Sequence, residues 1–172
     1  LAIMAGLDLP SRGRIMLMGH EITAMNEDKR AQVRSNDVGF VFQSFHLLPR
    51  LSALDNVMLP LEILGDNNAK KKSLEALNQI GLEKRVKHLP NQLSGGEKQR
   101  VAIARAMVKQ PKILFADEPT GNLDKTSTEV ISDLLFSINR SFQTTIVIVT
   151  HDLLLAKNCE TMHQLDEGSL KC

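Results

Sequence analysis

The segment Ile113-Leu114-Phe115-Ala116-Asp117-Glu118 decides the fold, because four apolar residues run directly into two acids. A short, continuously apolar run of this kind is typical of a strand that is buried on both faces of a parallel sheet. Thr145–Val149 is a second such run and is β-branched throughout, and Val38–Phe42 is a third candidate strand. Helical segments separate the three strands, so the alternation predicts an α/β fold with a mainly parallel sheet.

Apolar periodicity and capping residues place the other elements. We predict helices at 1–7, 26–33, 53–58, 69–80 and 99–109, and a long helix capped by Asp124 that carries Val130, Ile131, Leu134, Leu135 and Ile138. Pro60 either interrupts the helix at 53–58 or starts a second piece. Leu74, Leu77 and Ile80 are expected on one face of helix 69–80.

Two short strands complete this prediction. One is expected at 14–18, and the other is expected at 162–165 as an edge strand before a turn at Glu167-Gly168. Residues 44–109 contain no predicted strand. They are therefore expected to form a mainly helical lobe that is inserted into the sheet domain.

Composition excludes several classes of protein. Lys plus Arg total 21 and Asp plus Glu total 20, and the net charge of +1 argues against a strongly basic nucleic-acid binder, so no nucleic-acid partner is expected. No apolar run approaches the roughly 18 residues that a membrane span needs. Cys159 and Cys172 fit no metal or redox spacing and form no disulfide framework, so reduced cytoplasmic thiols are expected.

Polar side chains with suitable chemistry follow all three main strands. Gln43 follows the first strand, Asp117 and Glu118 end the second, and His151 comes just after the third. Ligands of open parallel sheets bind at the carboxyl ends of the strands, so these groups are expected to line one crevice.

Asp117 and Glu118 are adjacent, so their side chains diverge and separate roles are expected. Asp117 can hold Mg²⁺ directly or through its waters, and Glu118 can orient and deprotonate an attacking water. The alternative is a pair of solvated acids that cap the next turn before Pro119. His151 likewise is either a hydrogen-bonding partner of a transferring phosphate or a satisfied histidine at the edge of the core.

Ser94-Gly95-Gly96-Glu97 also supports two interpretations that do not exclude each other. Ser94 followed three residues later by Glu97 is a capping box, and the glycines would then serve only a tight turn. The same helix N-terminus, with no side chains at Gly95 and Gly96, leaves room for a phosphate.

In this order, the segments resemble the motifs of the ATP-binding-cassette (ABC) ATPases. Leu93-Ser94-Gly95-Gly96-Glu97-Lys98-Gln99-Arg100 resembles the signature motif, and Ile113-Leu114-Phe115-Ala116-Asp117-Glu118-Pro119-Thr120 resembles the Walker B segment. Gly121-Asn122-Leu123-Asp124 is similar to the D-loop, Gln43 to the Q-loop, and Thr150-His151-Asp152 to the switch-histidine segment. Order and spacing agree over nearly the whole chain, which is identified as a member of this family.

The resemblance implies ATP and Mg²⁺ as cofactors and gives the residues roles by position. Gln43 would contact Mg²⁺ and the attacking water, Asp117 would support Mg²⁺, Glu118 would be the general base, and His151 would bind the γ-phosphate. Ser94, Gly95, Gly96 and Glu97 would complete the nucleotide site of a second subunit in a head-to-tail homodimer, with Asp124 at the interface.

The resemblance further implies a P-loop NTPase fold of the ABC type. Residues 1–43 and 110–172 would form a RecA-like α/β core, and residues 44–109 a helical subdomain with the signature motif. Residues 38–45 and 56–60 are similar to the branch of lipoprotein-releasing and macrolide-exporter ATPases. That branch implies transmembrane permease subunits as partners, an export or lipid-release role, and a peripheral position on the cytoplasmic face of the inner membrane.

One family motif is not found. No G-x-x-x-x-G-K-[ST] phosphate loop occurs in the 172 residues. In the family this loop precedes a helix like the one expected at 1–7, so we expect the sequence to lack the first strands and the Walker A loop, and this chain alone to bind ATP poorly. Two alternatives stay open: a non-transport ABC ATPase that acts on DNA or ribosomes, and an inactive truncated fragment.

Overall fold

The computed structural model describes residues 1–171. The strands are β1 (Met16–Leu17), β2 (His20–Glu21), β3 (Val38–Phe42), β4 (Ile113–Asp117), β5 (Thr145–Val149), β6 (Gln164–Asp166) and β7 (Ser169–Lys171). The α-helices are α1 (Glu27–Asp37), α2 (Ala53–Ile63), α3 (Ala69–Gln79), α4 (Gly95–Met107), α5 (Lys125–Phe142) and α6 (Leu153–Lys157). Two 3-10 helices lie at Ile22–Ala24 and Pro90–Gln92.

A parallel sheet in the order β3-β4-β5 forms the centre of the fold. The register aligns Phe42 with Asp117 and Asp117 with Val149, so the three strands end at one level. The predicted α/β class with a mainly parallel sheet is confirmed, and all three main strands lie where the apolar runs place them. Strands β1 with β2, and β6 with β7, form separate antiparallel hairpins.

Strand β4 is buried on both faces, as its continuous apolar run predicts. Leu114 and Ala116 pack with residues of α4 and α5 on one side, and Ile113 and Phe115 pack with Ile22 and other residues of the N-terminal segment on the opposite side. The same prediction is wrong for β5, where Thr145 and Val149 are exposed. Within residues 1–171, β5 pairs only with β4 and is therefore an edge strand.

Helices α2, α3 and α4 pack together around a second apolar cluster, which includes Val57, Leu61 and Leu77. Helix α2 runs through Pro60 to Ile63, although the proline ring nitrogen cannot donate to the carbonyl group one turn earlier. Val57 and Leu61 flank Pro60 and are both buried, so packing on either side of the proline holds the helix together. The prediction of a break at Pro60 is therefore wrong.

Helix α4 belongs to both apolar clusters. Val101 and Ala104, with Val108 directly after the helix, pack in the cluster of the helical group, whereas Ile103 and Met107 pack in the cluster beside the sheet. Helix α4 is buried on both sides, which explains its almost uniformly apolar sequence between Val101 and Val108.

Several predicted boundaries differ from the structure. Residues 1–7 form one helical turn rather than a helix, because Gly6 adopts a φ of 69° and the N–H of Leu7 donates to the carbonyl of Ala2 at 2.9 Å, which closes the turn. Helix α1 extends beyond the predicted end to Asp37, and β1 contains only two residues. The predicted edge strand at 162–165 is found as β6, but it pairs with β7 rather than with the main sheet.

Two residues on predicted apolar faces are exposed. Leu74 of α3 is exposed, and Ser73 takes the buried position, where its hydroxyl donates to the carbonyl of Ala69 at 2.8 Å. On α5, Ile131, Leu135 and Ile138 are buried, but Val130 is exposed at the side of the helix. Among residues 1–171, no helix is both long and apolar enough to cross a membrane.

Cys159 is half-buried, and burial raises the pKa of its thiol above the ordinary value. Cys172, the second cysteine of the sequence prediction, lies outside the described residues.

Candidate active site

The aligned ends of the three main strands bring polar side chains to one edge of the sheet. Phe42, Asp117 and Val149 occupy one row of the register, so the next residues of these strands are Gln43, Glu118 and Thr150. The predicted convergence of Gln43, Glu118 and His151 is therefore present in the geometry. Asp117 itself is half-buried in the sheet.

The carboxylate of Glu118 accepts hydrogen bonds from the loop that follows β5. Its Oε1 lies 2.9 Å from the backbone nitrogen of His151 and 2.8 Å from Nδ1 of the same residue, and its Oε2 accepts from the Thr150 hydroxyl at 3.2 Å. Glu118 is thus more than a solvated acid at a turn. The His151 side chain is 79% exposed, so it does not lie at the edge of the core.

The backbone of Glu118 is held in an unusual conformation. Its φ of 44° lies in the left-handed region, which costs a residue other than glycine about 1–3 kcal/mol. Its N–H donates to the carbonyl of Val149 at 2.8 Å, and its carbonyl accepts from Gly121 at 3.1 Å. These bonds keep the carboxylate directed at the edge of the sheet where β5 ends and the loop of Thr150 and His151 begins.

Gly121 lies between Gln43 and Glu118. A methyl group at this position would lie 2.8 Å from Nε2 of Gln43 and 3.4 Å from Cβ of Glu118. The glycine therefore lets the amide of Gln43 approach the Glu118 side of the site. The neighbouring Asn122 donates from its side chain to the backbone carbonyl of Gln43 at 3.1 Å.

Two residues that the sequence analysis missed hold the chain after Gln43. Arg105 of α4 donates to the carbonyl of His46 at 2.6 Å and to that of Phe45 at 2.9 Å. Asn56 of α2 is 1% exposed; it accepts from the N–H of Leu48 and donates to the carbonyls of Leu48, Leu51 and Ser52. A charged residue inside the apolar run 101–108 is the signal that could have identified Arg105.

Gln99 of α4 makes a further buried link to the site. Its Nε2 donates to the carbonyl of Pro119 at 2.6 Å, immediately after Glu118, and its side chain is fully buried. Its Oε1 has no hydrogen-bond partner among the described residues. The amide thus fastens the segment that follows Glu118 to α4.

Ser94 and Glu97 form the predicted capping box at the start of α4. The Ser94 hydroxyl accepts from the N–H of Glu97 at 3.2 Å, and Glu97 Oε2 accepts from the N–H of Ser94 at 2.8 Å. Helix α4 therefore begins at Gly95, four residues before the predicted start at 99. The N–H of Ser94 and then the guanidinium of Arg85, which lies 2.9 Å from Oε1, hold the pKa of Glu97 below its ordinary value.

The second glycine of this segment, Gly96, allows α4 to lie close to the start of α5. A methyl group at Gly96 would lie 2.8 Å from the hydroxyl oxygen of Ser127, and one at Gly95 would lie 3.4 Å from Leu123. Asp124 caps α5 as predicted and accepts from the N–H and hydroxyl of Ser127 at 2.9 and 2.8 Å. These bonds, the N–H first, lower the pKa of Asp124.

The predicted residues thus fall into two groups. Gln43, Asp117, Glu118 and His151 lie at the strand ends, whereas Ser94, Gly95, Gly96, Glu97 and Asp124 lie where α4 and α5 begin. The segment from Pro119 to Asp124 connects the groups. No set of three His, Cys, Asp or Glu side chains within residues 1–171 could enclose a metal ion.

Comparison with known proteins identifies the class to which this fold and site belong. The chain matches the family described as ABC transporter over residues 1–121. The chain therefore belongs to the ABC transporter family, and it is an ATP-binding domain. The resemblance drawn from its five motifs is confirmed.

Particular relatives refine this assignment. The chain is 52% identical over 173 residues to the ABC transporter ATP-binding protein YbbA of Escherichia coli (strain K12), covering 99% of this chain and 76% of YbbA. It is 46% identical over 172 residues to the lipoprotein-releasing system ATP-binding protein LolD of Legionella pneumophila (strain Paris), covering 99% and 76%. A solved dimeric structure of the cassette MJ0796 with ADP and Pi is 40% identical, with a TM-score of 0.80, and covers 91% of this chain and 70% of that one.

Proposed function

We propose that the full-length protein hydrolyses ATP to drive the transmembrane permease subunits of an export or lipoprotein-release system. The observation that carries this proposal is that Thr150 and His151 form hydrogen bonds to the carboxylate of Glu118 in a chain of this family. Its relatives include a lipoprotein-releasing ATP-binding protein and a cassette solved as a dimer with ADP and Pi. We infer from these relatives a homodimer that lies peripherally on the cytoplasmic face of the inner membrane.

Glu118 is proposed as the general base that orients and deprotonates the attacking water. Thr150 and the backbone N–H of His151 hold its two oxygens, so the carboxylate can turn little. His151 is proposed to bind the γ-phosphate, because its exposed ring is fixed by Nδ1 beside Glu118. Phosphoryl transfer of this kind depends on positioning and on neutralising charge rather than on covalent steps by the protein.

Gln43 and Asp117 are proposed to hold Mg²⁺. Their amide and carboxylate oxygens are the hard ligands that Mg²⁺ prefers, and they begin from adjacent strand ends. Mg²⁺ is usually held by one or two protein oxygens together with phosphates and waters, so these two side chains are enough to hold it. When bound, the ion would neutralise charge on the phosphates of ATP.

The second group of residues is proposed to act on the nucleotide of a partner subunit. Ser94, Gly95, Gly96 and Glu97 would meet that nucleotide at the N-terminus of α4, and Asp124 would lie at the dimer interface. Packing against Ser127 already explains Gly96, so this role is an additional one for that residue. We propose that 1–43 and 110–172 form the α/β core and that 44–109, with helices α2, α3 and α4, form the subdomain that contacts the permease.

The test of this function is Glu118→Gln in the full-length protein. The glutamine can keep its oxygen towards His151 while its NH₂ group donates to the Thr150 hydroxyl, so the fold and ATP binding are retained. Loss of the base lowers kcat about 10²- to 10⁴-fold. Steady-state ATPase assays and nucleotide titration measure the two quantities, and Glu83→Gln, on an exposed residue, is the matched control. Unchanged turnover in Glu118→Gln would reject the role of Glu118.

A second proposal concerns the polypeptide of residues 1–172 by itself. It contains no G-x-x-x-x-G-K-[ST] segment to bind the β- and γ-phosphates, so we propose that it binds MgATP weakly. The other candidate, a non-transport ATPase of the same family that acts on DNA or ribosomes, has less support because the net charge is only +1. Co-purification with ribosomes or DNA rather than with membranes would favour that candidate.

A further inference from the structure

The turn that follows β3 has a strained backbone. Phe45 and His46 have φ values of 61° and 47°, and two successive residues other than glycine rarely occupy the left-handed region. Two hydrogen bonds within the turn are present, from Phe45 to the carbonyl of Phe42 at 3.2 Å and from His46 to that of Ser44 at 2.6 Å. Such a conformation persists where contacts from other parts of the fold hold it in place.

Arg105 supplies the contacts that hold this turn. Its Nη1 and Nη2 donate to the carbonyls of His46 and Phe45, the two strained residues, at 2.6 and 2.9 Å. A planar guanidinium can hold two adjacent acceptors in this way, whereas a lysine ammonium is a single point charge. Within residues 1–171, no carboxylate forms an ion pair with Arg105. In this part of the chain its guanidinium donates to the carbonyl groups of Phe45 and His46.

The strained turn begins at Gln43, and the position of that side chain follows from the turn. Asn122 donates to the Gln43 carbonyl at 3.1 Å, and the Gln43 amide lies against Gly121 beside Glu118. Arg105 thus fixes the residues directly after Gln43, and Asn122 fixes Gln43 itself. Removing the guanidinium would release the strain at Phe45 and His46 and change the direction of the Gln43 side chain.

We propose that Arg105 is a positioning residue for ATP hydrolysis and that it acts through Gln43. This inference rests on the proposed function, because that function requires Gln43 to contact Mg²⁺ and the attacking water. The hydrogen bonds of Arg105 go to Phe45 and His46 rather than to Gln43 itself. Its effect is on the geometry of the turn between β3 and α2, which it ties to α4.

The experiment compares Arg105→Ala, Arg105→Lys, Gln43→Ala and the double variant Gln43→Ala/Arg105→Ala in the full-length protein. Arg140→Ala, on an exposed arginine of α5, is the matched control and is expected to behave like the wild type. We expect Arg105→Ala to lower kcat about 10- to 100-fold per folded molecule, with the KM for MgATP within about twofold of the wild-type value. Arg105→Lys should keep the wild-type melting temperature but recover only part of the lost kcat.

The double variant distinguishes positioning from a general structural effect. If Arg105 acts through Gln43, the double variant loses no more activity than Gln43→Ala alone. The inference would be overturned if the kcat losses of the two single variants multiply in the double variant. A wild-type kcat in a folded Arg105→Ala or Arg105→Lys variant would also overturn it. Either result would leave the proposed function standing. An inactive wild-type protein would overturn the proposed function and the inference with it. If Arg105→Ala does not fold, the kcat of Arg105→Lys decides.

Discussion

Gly39 is the position where a single added methyl group should disturb the fold most clearly. It lies in β3 opposite Leu114, and a methyl group there would lie 2.9 Å from the carbonyl oxygen of Ala106 and 2.9 Å from a terminal methyl of Leu114. It would also lie 3.1 Å from the ring of Pro111. Gly39→Ala therefore forces β3 away from the end of α4, because a backbone carbonyl and a proline ring have little freedom to move.

The size of the effect follows from two opposing contributions. Overfilling a packed core costs about 1–3 kcal/mol. Replacing glycine returns about 0.5–1 kcal/mol, because the unfolded chain loses conformational freedom and the φ of Gly39 is not left-handed. The midpoints of these two ranges, about 2 and about 0.75 kcal/mol, give a net loss in the free energy of unfolding of about 1.25 kcal/mol. For a chain of this length this corresponds to a melting temperature lowered by about 2.5–5 °C.

Thermal and urea unfolding followed by circular dichroism measure this change in the wild type, in Gly39→Ala and in a control, Gly95→Ala. The control adds the same methyl group at the start of α4, where the nearest atom is at 3.4 Å, an ordinary contact distance. Gly95→Ala should therefore melt at or slightly above the wild-type temperature. If Gly39→Ala is as stable as the wild type, or if both variants lose equal stability, the close approach of β3 and α4 is not what the glycine serves.

Two further predictions concern pH and nucleotide. Because the pKa of Glu97 in the folded protein is lower than its ordinary value of 4.5, its carboxylate stabilises the fold above that value, and this contribution is lost as the pH falls through the lowered pKa. In Glu97→Gln, the free energy of unfolding should therefore fall less steeply as the pH drops below 4.5. Urea unfolding between pH 2 and 7 measures this in both proteins. If the two plots of unfolding free energy against pH are parallel, the prediction is contradicted. For the polypeptide of residues 1–172, calorimetric titration should show weak binding of MgATP, and tight binding would reject that proposal.

The central sheet could be predicted because its signal is local. The apolar runs of β3, β4 and β5 begin and end within a few residues of the true strands, and in a parallel sheet their polar ends must meet at one edge. For the same reason Gln43, Glu118 and His151 could be grouped from the sequence. The caps Ser94 and Asp124 were also predictable, since a capping side chain bonds to residues only three positions away.

Other features depend on contacts between distant parts of the chain. Gly95 and Gly96 lower the helix propensity of this segment, so the sequence pattern places the start of α4 too late. In the structure, Gly96 is needed for the close approach of Ser127, which lies 31 positions later in the sequence. Arg105 bonds to carbonyls that are 59 and 60 positions away. The left-handed backbone of Glu118 likewise has no sequence signal, because its cause is the hydrogen bonding to the end of β5.

Helix α4, with apolar neighbours on both sides, bears on how this chain unfolds. Suppose that the helical group separated from the sheet. If α4 stayed with the sheet, water would reach Val101, Ala104 and Val108. If α4 stayed with the helical group, water would reach Ile103 and Met107. Each valine, isoleucine or methionine among them loses roughly 1.5–3 kcal/mol of burial free energy when it is exposed. The two apolar clusters are thus coupled into a single cooperative unit, and the link between them is the same helix that carries Ser94, Gln99 and Arg105.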